Sequence, residues 1–297
     1  MPVARARKWR RPRLARGASA GEAFRANLRA AVEHVRAHHD AASRGEDPES
    51  LHQLRVGLRR LRATLRAFRP LLRRRALGAL DAELGSLARP LGEARDWDVF
   101  WSAVREPTLR SAARGKRARA RRLASARLRS ARFGAALDRS LSWAESAPWR
   151  RHADPDAPLE RFARRGLRRL DRDLEVAARG VDWTSPAARH RVRIRVKRLR
   201  YGADCFAPSL PPRGREEFFD RLRALQGILG ELNDLRTQRG LLGRLGGGTR
   251  SRDAARRRTL ALEARERPLI AAAREAWRSF RKGARYARRP AAARATG

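Results

Sequence analysis

A histidine followed by a regular series of cations occurs twice in this sequence. The first copy, LHQLRVGLRRLRATLRAFRP, spans residues 51–70, and the second, RHRVRIRVKRLRYGADCFAP, spans residues 189–208. Each residue of the second copy lies 138 positions after its counterpart, so that His190 aligns with His52. A repeat of this length without a gap indicates two copies of one structural unit.

Placed on a helix of 3.6 residues per turn, each copy separates into an apolar face and a basic face. The basic faces carry His52, Arg55, Arg59, Arg62, Arg66 and Arg69 in the first copy, and His190, Arg193, Lys197 and Arg200 in the second. They are nearly free of acids at helical spacing, so the ion pairs of an ordinary solvated helix face are missing. The pattern therefore favours an anion-binding surface over a solvated face.

Rows of guanidinium groups suit phosphate, because each planar fork holds two phosphate oxygens at once. A row from Arg55 to Arg69 would follow about 20 Å of helix axis at 1.5 Å per residue. A linear polymer of phosphates can follow such a line, and a bound anion would favour the charged form of His52 and His190. If the two copies face each other, their rows meet across one groove or channel.

The overall charge restricts the class of partner. The 297 residues carry a net charge of +41, with an isoelectric point near 12.0. Self-repulsion at this level destabilises a compact state unless anions relieve it, so we expect a polyanion as the partner. No apolar run is long enough for a membrane span. The single cysteine, Cys205, excludes an intrachain disulfide and fits a reducing cytosol.

Almost the whole chain has the composition and apolar spacing of α-helices. The proline-rich segment 148–158 divides it into two halves, and Ser185 and Pro186 mark the start of the second motif helix. The predicted helices lie near 20–43, 49–69, 74–104, 115–146, 157–180, 185–207, 213–243 and 250–285. We expect disordered tails over residues 1–18 and 286–297.

Metal binding and catalysis find little support in the sequence. The helical neighbours of His52 and His190 include cations, which repel a metal ion. Asp96 and Asp98 suggest a magnesium site, but Arg236 aligns with Asp98, so pairing with buried arginines is the simpler interpretation. No nucleophile–base pair, acidic pair or phosphate loop is present, so we expect a protein that is not an enzyme and has no cofactor.

The doubled pattern H-x-x-R-V/I-x-x-R/K-R-L-R resembles the CHAD (conserved histidine α-helical domain) family, and LGEARDWDVF and LQGILGELNDL resemble the segments that follow it there. The resemblance covers about residues 19–285. It implies an all-α fold of two four-helix bundles, 19–147 and 159–285, related by a pseudo-twofold axis and forming a basic groove or channel. It also implies binding of inorganic polyphosphate and association with polyphosphate granules in the bacterial cytoplasm. No obligate protein partner is indicated.

We expect two matching sets of side chains to bind polyphosphate. They are His52, Arg55, Arg59, Arg60, Arg62 and Arg66 in the first copy, and His190, Arg193, Lys197, Arg198 and Arg200 in the second. Arg66 aligns with Asp204, and Arg69 aligns with Ala207, so we expect one end of the groove to be asymmetric. General nucleic-acid binding is the alternative that the net charge allows, although no aromatic side chains alternate with the cations to stack bases.

Overall fold

The computed structural model describes residues 8–45, 47–283 and Tyr286. All the regular secondary structure in these ranges is helical, apart from two isolated β-bridges, and this confirms the predicted all-α class. In the same ranges, no helix combines the length and apolar character that crossing a lipid bilayer requires. Except for Tyr286, the predicted tail over 286–297 lies outside the described residues.

The described part of the chain forms ten α-helices and one short 3-10 helix. The first half contains α1 (Ala20–Ala37), α2 (His39–Arg44), α3 (Pro48–Ala67), α4 (Arg74–Ala103), α5 (Pro107–Leu128) and α6 (Ala131–Ser142). The second half contains α7 (Leu159–Ala178), α8 (Pro186–Phe206), the 3-10 helix Ala207–Ser209, α9 (Arg215–Leu242) and α10 (Thr249–Gly283). The second half thus has its four predicted α-helices, whereas two of those predicted in the first half are each divided.

The first division falls within the helix that the sequence predicts over 20–43. The backbone leaves helical geometry at His38, which has φ −111° and ψ 0°. The His38 imidazole Nδ1 lies 2.7 Å from the carbonyl oxygen of His34, one turn earlier, so the side chain occupies an acceptor at the end of α1. The chain then turns, and α2 packs against α3 and α5.

The second division falls within the helix predicted over 115–146. Helix α5 begins earlier, with Pro107 in its first turn, where the missing amide proton of proline costs no hydrogen bond. It ends at Leu128, whose carbonyl oxygen lies 3.0 Å from the imidazole Nε2 of His39. This contact joins the end of α5 to α2 and replaces a hydrogen bond that a continuing helix would make.

Local signals start the two motif helices, α3 and α8, where the sequence predicts. The Asp47 carboxylate caps α3 by accepting from the amides of Glu49 at 2.9 Å and Ser50 at 3.0 Å. The Ser185 hydroxyl caps α8 by accepting from the amide of Ala188 at 3.3 Å. Both helices have proline in the first turn, where its fixed φ matches the helix.

The two halves pack their helices in the same order. Helix α3 lies between α1 and α4, and α4 contacts α5; likewise α8 lies between α7 and α9, and α9 contacts α10. Across the halves, α3 contacts α8, α4 contacts α9 and α5 contacts α10. The aligned residues Phe68 and Phe206 meet edge to face, with ring centroids 5.3 Å apart. These contacts favour the pseudo-twofold duplication into two bundles, which stays a prediction.

Backbone hydrogen bonds fasten the connection 148–158 to the helices. The amide of Gly21 donates to the Pro155 carbonyl at 2.6 Å, and the amide of Arg150 donates to the Leu71 carbonyl at 2.8 Å. A Cβ atom at Gly21 would lie 3.0 Å from the Pro155 carbonyl oxygen, so this close approach requires glycine. The connection therefore holds Arg150 beside the turn between α3 and α4.

Residues 8–18 contain no helix, yet they lie against the folded body. Trp9 packs on the hydrophobic core, and Arg11 Nη2 lies 2.8 Å from Asp204 Oδ1. The disordered tail expected over 1–18 is therefore corrected for this part, because burial of an aromatic ring and an ion pair hold it in place. The rest of that predicted tail lies outside the described residues.

Candidate anion-binding site

The basic faces of α3 and α8 approach each other where these helices contact. Arg59 of α3 donates from Nη1 to the phenol oxygen of Tyr201 on α8, at 3.1 Å. The charge of Arg59 also acts on Arg193 and Lys197 of α8. The fold thus brings cations of the two sequence copies, 138 residues apart, into one electrostatic cluster.

A cavity of about 870 Å³ opens beside this cluster, between α3, α4, α7 and α8. We call it the first arm. Nine cationic side chains line it: Arg59, Arg66, Arg69, Arg74, Arg150, Arg169, Arg193, Lys197 and Arg198. The one carboxylate among its lining residues, Asp81, accepts from Arg66 Nη2 at 2.8 Å and from Arg62 Nε at 2.9 Å. A large excess of positive charge therefore faces the cavity.

Burial and repulsion act together on the cations at the centre. Burial, with the charges of Arg193 and Arg59, lowers the pKa of Lys197 to about 7. Burial, with the charge of Arg59, lowers the pKa of Arg55 to about 10. Both shifts mean that the surroundings disfavour the charged side chain. An anion in the first arm would reverse this effect, because its charge favours the protonated amine.

Several guanidinium donors near the cluster lack a partner. Within the described residues, the Nε atoms of Arg55, Arg193 and Arg198 are buried and make no hydrogen bond. A buried donor without a partner costs roughly 1–3 kcal/mol. Helix α4 admits Arg55 because position 92 is glycine: a Cβ atom at Gly92 would lie 2.9 Å from Arg55 Nη1. These donors are suited to an anion that enters between the helices.

The two motif histidines are not among the side chains that line the first arm. His52 is half-buried, and burial, followed by the charge of Arg95, lowers its pKa. His190 is exposed in a small cleft that Asn233 and Arg236 also line, and its partial burial lowers its pKa as well. The neutral imidazole therefore prevails at pH 7 in both, and each offers an N–H donor rather than a fixed charge.

Three cations that the sequence assigns to phosphate pair with carboxylates and do not line the first arm. Arg60 Nη1 lies 3.2 Å and Arg200 Nη1 3.8 Å from the same oxygen, Oδ2 of Asp204. Arg62 is the third, paired with Asp81. The predicted residues that do line the first arm are Arg59, Arg66, Arg193, Lys197 and Arg198.

The predicted binding set omits four cations of the first arm. Arg69 lies two residues after the end of α3, and the sequence already placed it on the basic face of the first copy. Arg74 begins α4, Arg150 lies in the connection between the halves, and Arg169 comes from α7. No local pattern marks these three, because only the packing of distant segments places them at the same cavity.

The aspartates that suggested a metal site have other surroundings. Asp98 is buried and accepts from Arg117 Nε at 2.7 Å and Arg121 Nε at 2.9 Å. Burial raises the pKa of Asp96, and the aligned Asp234 of the other half also acts on it. Among the described residues, no three His, Cys, Asp or Glu side chains are grouped to hold a metal ion.

Comparison with known proteins identifies relatives of this structure. Residues 26–243 match the family model for the CHAD domain. The crystal structure of the CHAD domain from the plant Ricinus communis is similar, with a TM-score of 0.77 and 28% identity over 94% of this chain and 96% of that chain. PptA from Streptomyces chartreusis is also similar, with a TM-score of 0.63 and 18% identity over 90% of this chain and 99% of that chain. No curated protein matches.

The similarity to PptA corrects one prediction. The sequence lacks a familiar catalytic pair and so predicts a protein that is not an enzyme. That exclusion is contradicted by the match with PptA over 90% of this chain. The absence of a known motif is too weak a ground for excluding catalysis, because cations that bind a phosphate can also stabilise the charge that develops when it reacts. At 18% identity the similarity shows the fold and establishes no catalytic activity.

Proposed function

Because the chain belongs to the CHAD domain family, we propose that its first arm binds inorganic polyphosphate. The observation that carries this proposal is the lining of the arm, in which nine cations face a single carboxylate. A site with this excess of positive charge gains most from a ligand that brings several negative charges close together. Polyphosphate meets this condition, because each of its linked phosphates carries charge.

The shape of the first arm supports a linear ligand. Arg59 and Arg66 lie on one face of α3, about 10 Å apart along its axis at 1.5 Å per residue, and Arg69 lies in the turn that follows α3. The cations of α7 and α8 line the same cavity, so a phosphate chain between these helices meets donors on more than one side. Guanidinium groups hold phosphate oxygens in pairs, and this geometry favours ordered contacts along the chain over diffuse attraction.

The charge state of Lys197 also supports an anionic ligand. Its pKa of about 7 reflects burial beside other cations, and a bound polyphosphate would restore the ordinary charged amine. Binding is therefore coupled to proton uptake at this residue. Repulsion among these cations raises the free energy of the unliganded protein, and bound phosphate charges relieve this repulsion.

The proposal is tested with the double variant Arg59→Ala/Lys197→Ala. It removes two cavity cations, one from each motif helix, and we expect about a 100-fold loss of affinity for long-chain polyphosphate at about 1.5 kcal/mol or more per charged contact. The matched control is Arg114→Ala/Lys116→Ala, which removes the same two residue types from the exposed face of α5. Calorimetry at several salt concentrations measures both, since wild-type affinity falls as salt rises. Equal losses in the two variants would contradict a specific site.

General nucleic-acid binding is the second candidate, favoured by the net charge of +41. The first arm offers little to a base, because Tyr201 is the one aromatic residue in its lining and the ring is only 5% exposed. Stacking on aromatic faces is the usual means of holding single-stranded bases. Competition decides between the candidates: RNA that displaces polyphosphate at equal phosphate concentration would favour nucleic acid.

Recruitment to polyphosphate granules in the cytoplasm would follow from this affinity. A granule presents many phosphate chains at high local concentration, so even moderate affinity for one chain holds the protein there. A fluorescent fusion of the wild type should therefore mark granules, whereas a fusion of Arg59→Ala/Lys197→Ala should spread through the cell. Granule staining that persists in the double variant would contradict recruitment through the first arm.

A further inference from the structure

A second cavity lies on the part of the second half that aligns with the first arm. Its volume is about 400 Å³, and we call it the second arm. Its lining residues are Arg11, Ala207, Pro208, Arg215, Glu216, Phe219, Asp220 and Arg223. Ala207 and Phe219 stand where the first arm has Arg69 and Asp81, so the position is equivalent while the side chains differ.

Asp204 organises the surroundings of the second arm. Its side chain is only 6% exposed and is approached by Arg11 at 2.8 Å, Arg60 at 3.2 Å and Arg200 at 3.8 Å. Arg215 and Arg223 also line the second arm, with the carboxylates Glu216 and Asp220, so five guanidinium groups there outnumber three carboxylates and positive charge remains. Of the three arginines that approach Asp204, Arg11 is the one that lies outside the helices, and its side chain is 46% exposed.

The segment 8–14, which we call the N-terminal strap, covers Arg60. The guanidinium carbon of Arg60 lies 4.5 Å from the ring centroid of Trp9, and that ring meets His34 edge on at 5.5 Å. The guanidinium carbon of Arg11 lies 5.3 Å from the ring centroid of Phe219, a lining residue of the second arm. The strap thus occupies the approach that a phosphate chain would need.

Tyr201 joins the two arms. Its phenol oxygen accepts from Arg59 of the first arm, while its ring lies under the guanidinium groups of Arg200 at 4.3 Å and Arg60 at 5.4 Å. One cation of the first arm and two of the cations around Asp204 therefore contact the same side chain. A phosphate chain that fills the first arm and continues past Tyr201 would next meet Arg200 and Arg60, and the strap covers Arg60.

We propose that the N-terminal strap covers a latent extension of the phosphate site, lined by Arg60, Arg200 and Arg215, and thereby selects for chain length. This inference rests on the proposed function. Short oligophosphates complete their contacts in the first arm and leave the strap in place. Long chains displace it, because several charged phosphate contacts together outweigh the Arg11–Asp204 ion pair and the aromatic contacts of Trp9 and Arg11 that hold the strap.

Calorimetry with tripolyphosphate and with long-chain polyphosphate tests this selection. Arg11→Ala removes the anchor of the strap, and Arg13→Ala removes the same charge from an exposed side chain of the same segment. Relative to Arg13→Ala, we expect Arg11→Ala to bind long chains about fivefold more tightly, the equivalent of one surface ion pair, and tripolyphosphate equally well. Long-chain binding that weakens equally in both variants would overturn the proposal.

Displacement of the strap can also be observed directly. Protein labelled with 5-fluorotryptophan gives a Trp9 resonance that is assigned through the variant Trp9→Phe. Long chains should shift this resonance toward the position seen in unfolded protein, while tripolyphosphate should leave it unchanged. An unmoved resonance at saturating long-chain polyphosphate would overturn the role of the strap alone. Failure of the wild type to bind either phosphate would instead overturn the proposed function, and the strap proposal with it.

Discussion

The first and second arms start from aligned sequences but differ in charge: nine cations and one carboxylate line the first, whereas three cations and two carboxylates line the second. Arg66 of α3, which aligns with Asp204 of α8, lines the open cationic cavity of the first arm. In the second copy the same position is Asp204, which draws Arg60 and Arg200 into ion pairs and anchors the strap. A duplicated frame thus supplies two equivalent places, and a few side chains decide which of them is open to an anion.

The two arms also differ at the position that Asp81 occupies in the first arm. Asp81 of the first arm is itself at the cavity wall, and nine cations outnumber it there. At the position aligned with Asp81, the second arm has Phe219, which packs in the core and under Arg11. Where the first arm has a carboxylate, the second arm therefore has an aromatic ring, and Arg11 of the N-terminal strap packs against it.

The largest effect is expected when the first arm is given the aspartate of the second. Arg66→Asp reverses one lining charge and places a carboxylate beside Asp81. We expect polyphosphate affinity to fall about 100-fold, since each charged hydrogen bond contributes roughly 1.5–3 kcal/mol. Arg114→Asp, an equal change of net charge on exposed α5, should lose far less affinity by calorimetry. If both variants lose the same affinity, net charge rather than the first arm governs binding.

Removal of the two aspartates should separate the arms by stability. Asp204→Ala leaves Arg60 and Arg200 without their carboxylate, and we expect a loss of about 3 kcal/mol in the free energy of unfolding. Asp81 is 22% exposed, so Asp81→Ala should cost only about 1 kcal/mol. Urea denaturation followed by circular dichroism measures both. A larger loss for Asp81→Ala would refute the view that Asp204 holds the second arm closed.

The smallest effect concerns pH and belongs to the first arm. Lys197 has a pKa of about 7 in the free protein, and a bound polyanion raises it, so binding takes up a proton. Affinity should therefore be highest below pH 7 and fall as pH rises toward the pKa in the complex, by about tenfold from pH 6 to 8.5. Calorimetry in buffers of different ionisation enthalpy counts the protons. Lys197→Arg keeps its charge and should flatten the profile; an unchanged profile would exclude this residue as the source.

The sequence predicted the helices well where start and stop signals are local. The caps at Asp47 and Ser185 fix the beginnings of α3 and α8, and periodic apolar residues define the faces that pack. The division after Leu128 escaped prediction because it involves a contact with the distant His39, whereas the division at His38 escaped although its side chain contacts a carbonyl only one turn away. The order of the strap also escaped prediction, because it depends on the ion pair between Arg11 and Asp204, which are far apart in the sequence.

For the candidate site, the sequence identified the basic faces but not their division. Spacing alone gives Arg60 and Arg198 equal standing, since they align in the two copies. In the fold, Arg198 lines the first arm, whereas Arg60 lies between Asp204 and Trp9. In the sequence, the alignment of Arg66 with Asp204 was the strongest indication that the groove is asymmetric.

By itself, the sequence determined the helical class, the doubled motif and the basic stripe, and it led to the expectation of a polyanionic partner. These depend on periodicity, which neighbouring residues define, and on net charge, which is the sum of the side-chain charges. Only the tertiary structure decided which cations share a cavity, which ones a carboxylate neutralises and how far the pKa of Lys197 falls. The reason is that Coulomb interactions and desolvation depend on distances through space, and folding sets those distances between residues far apart in the chain.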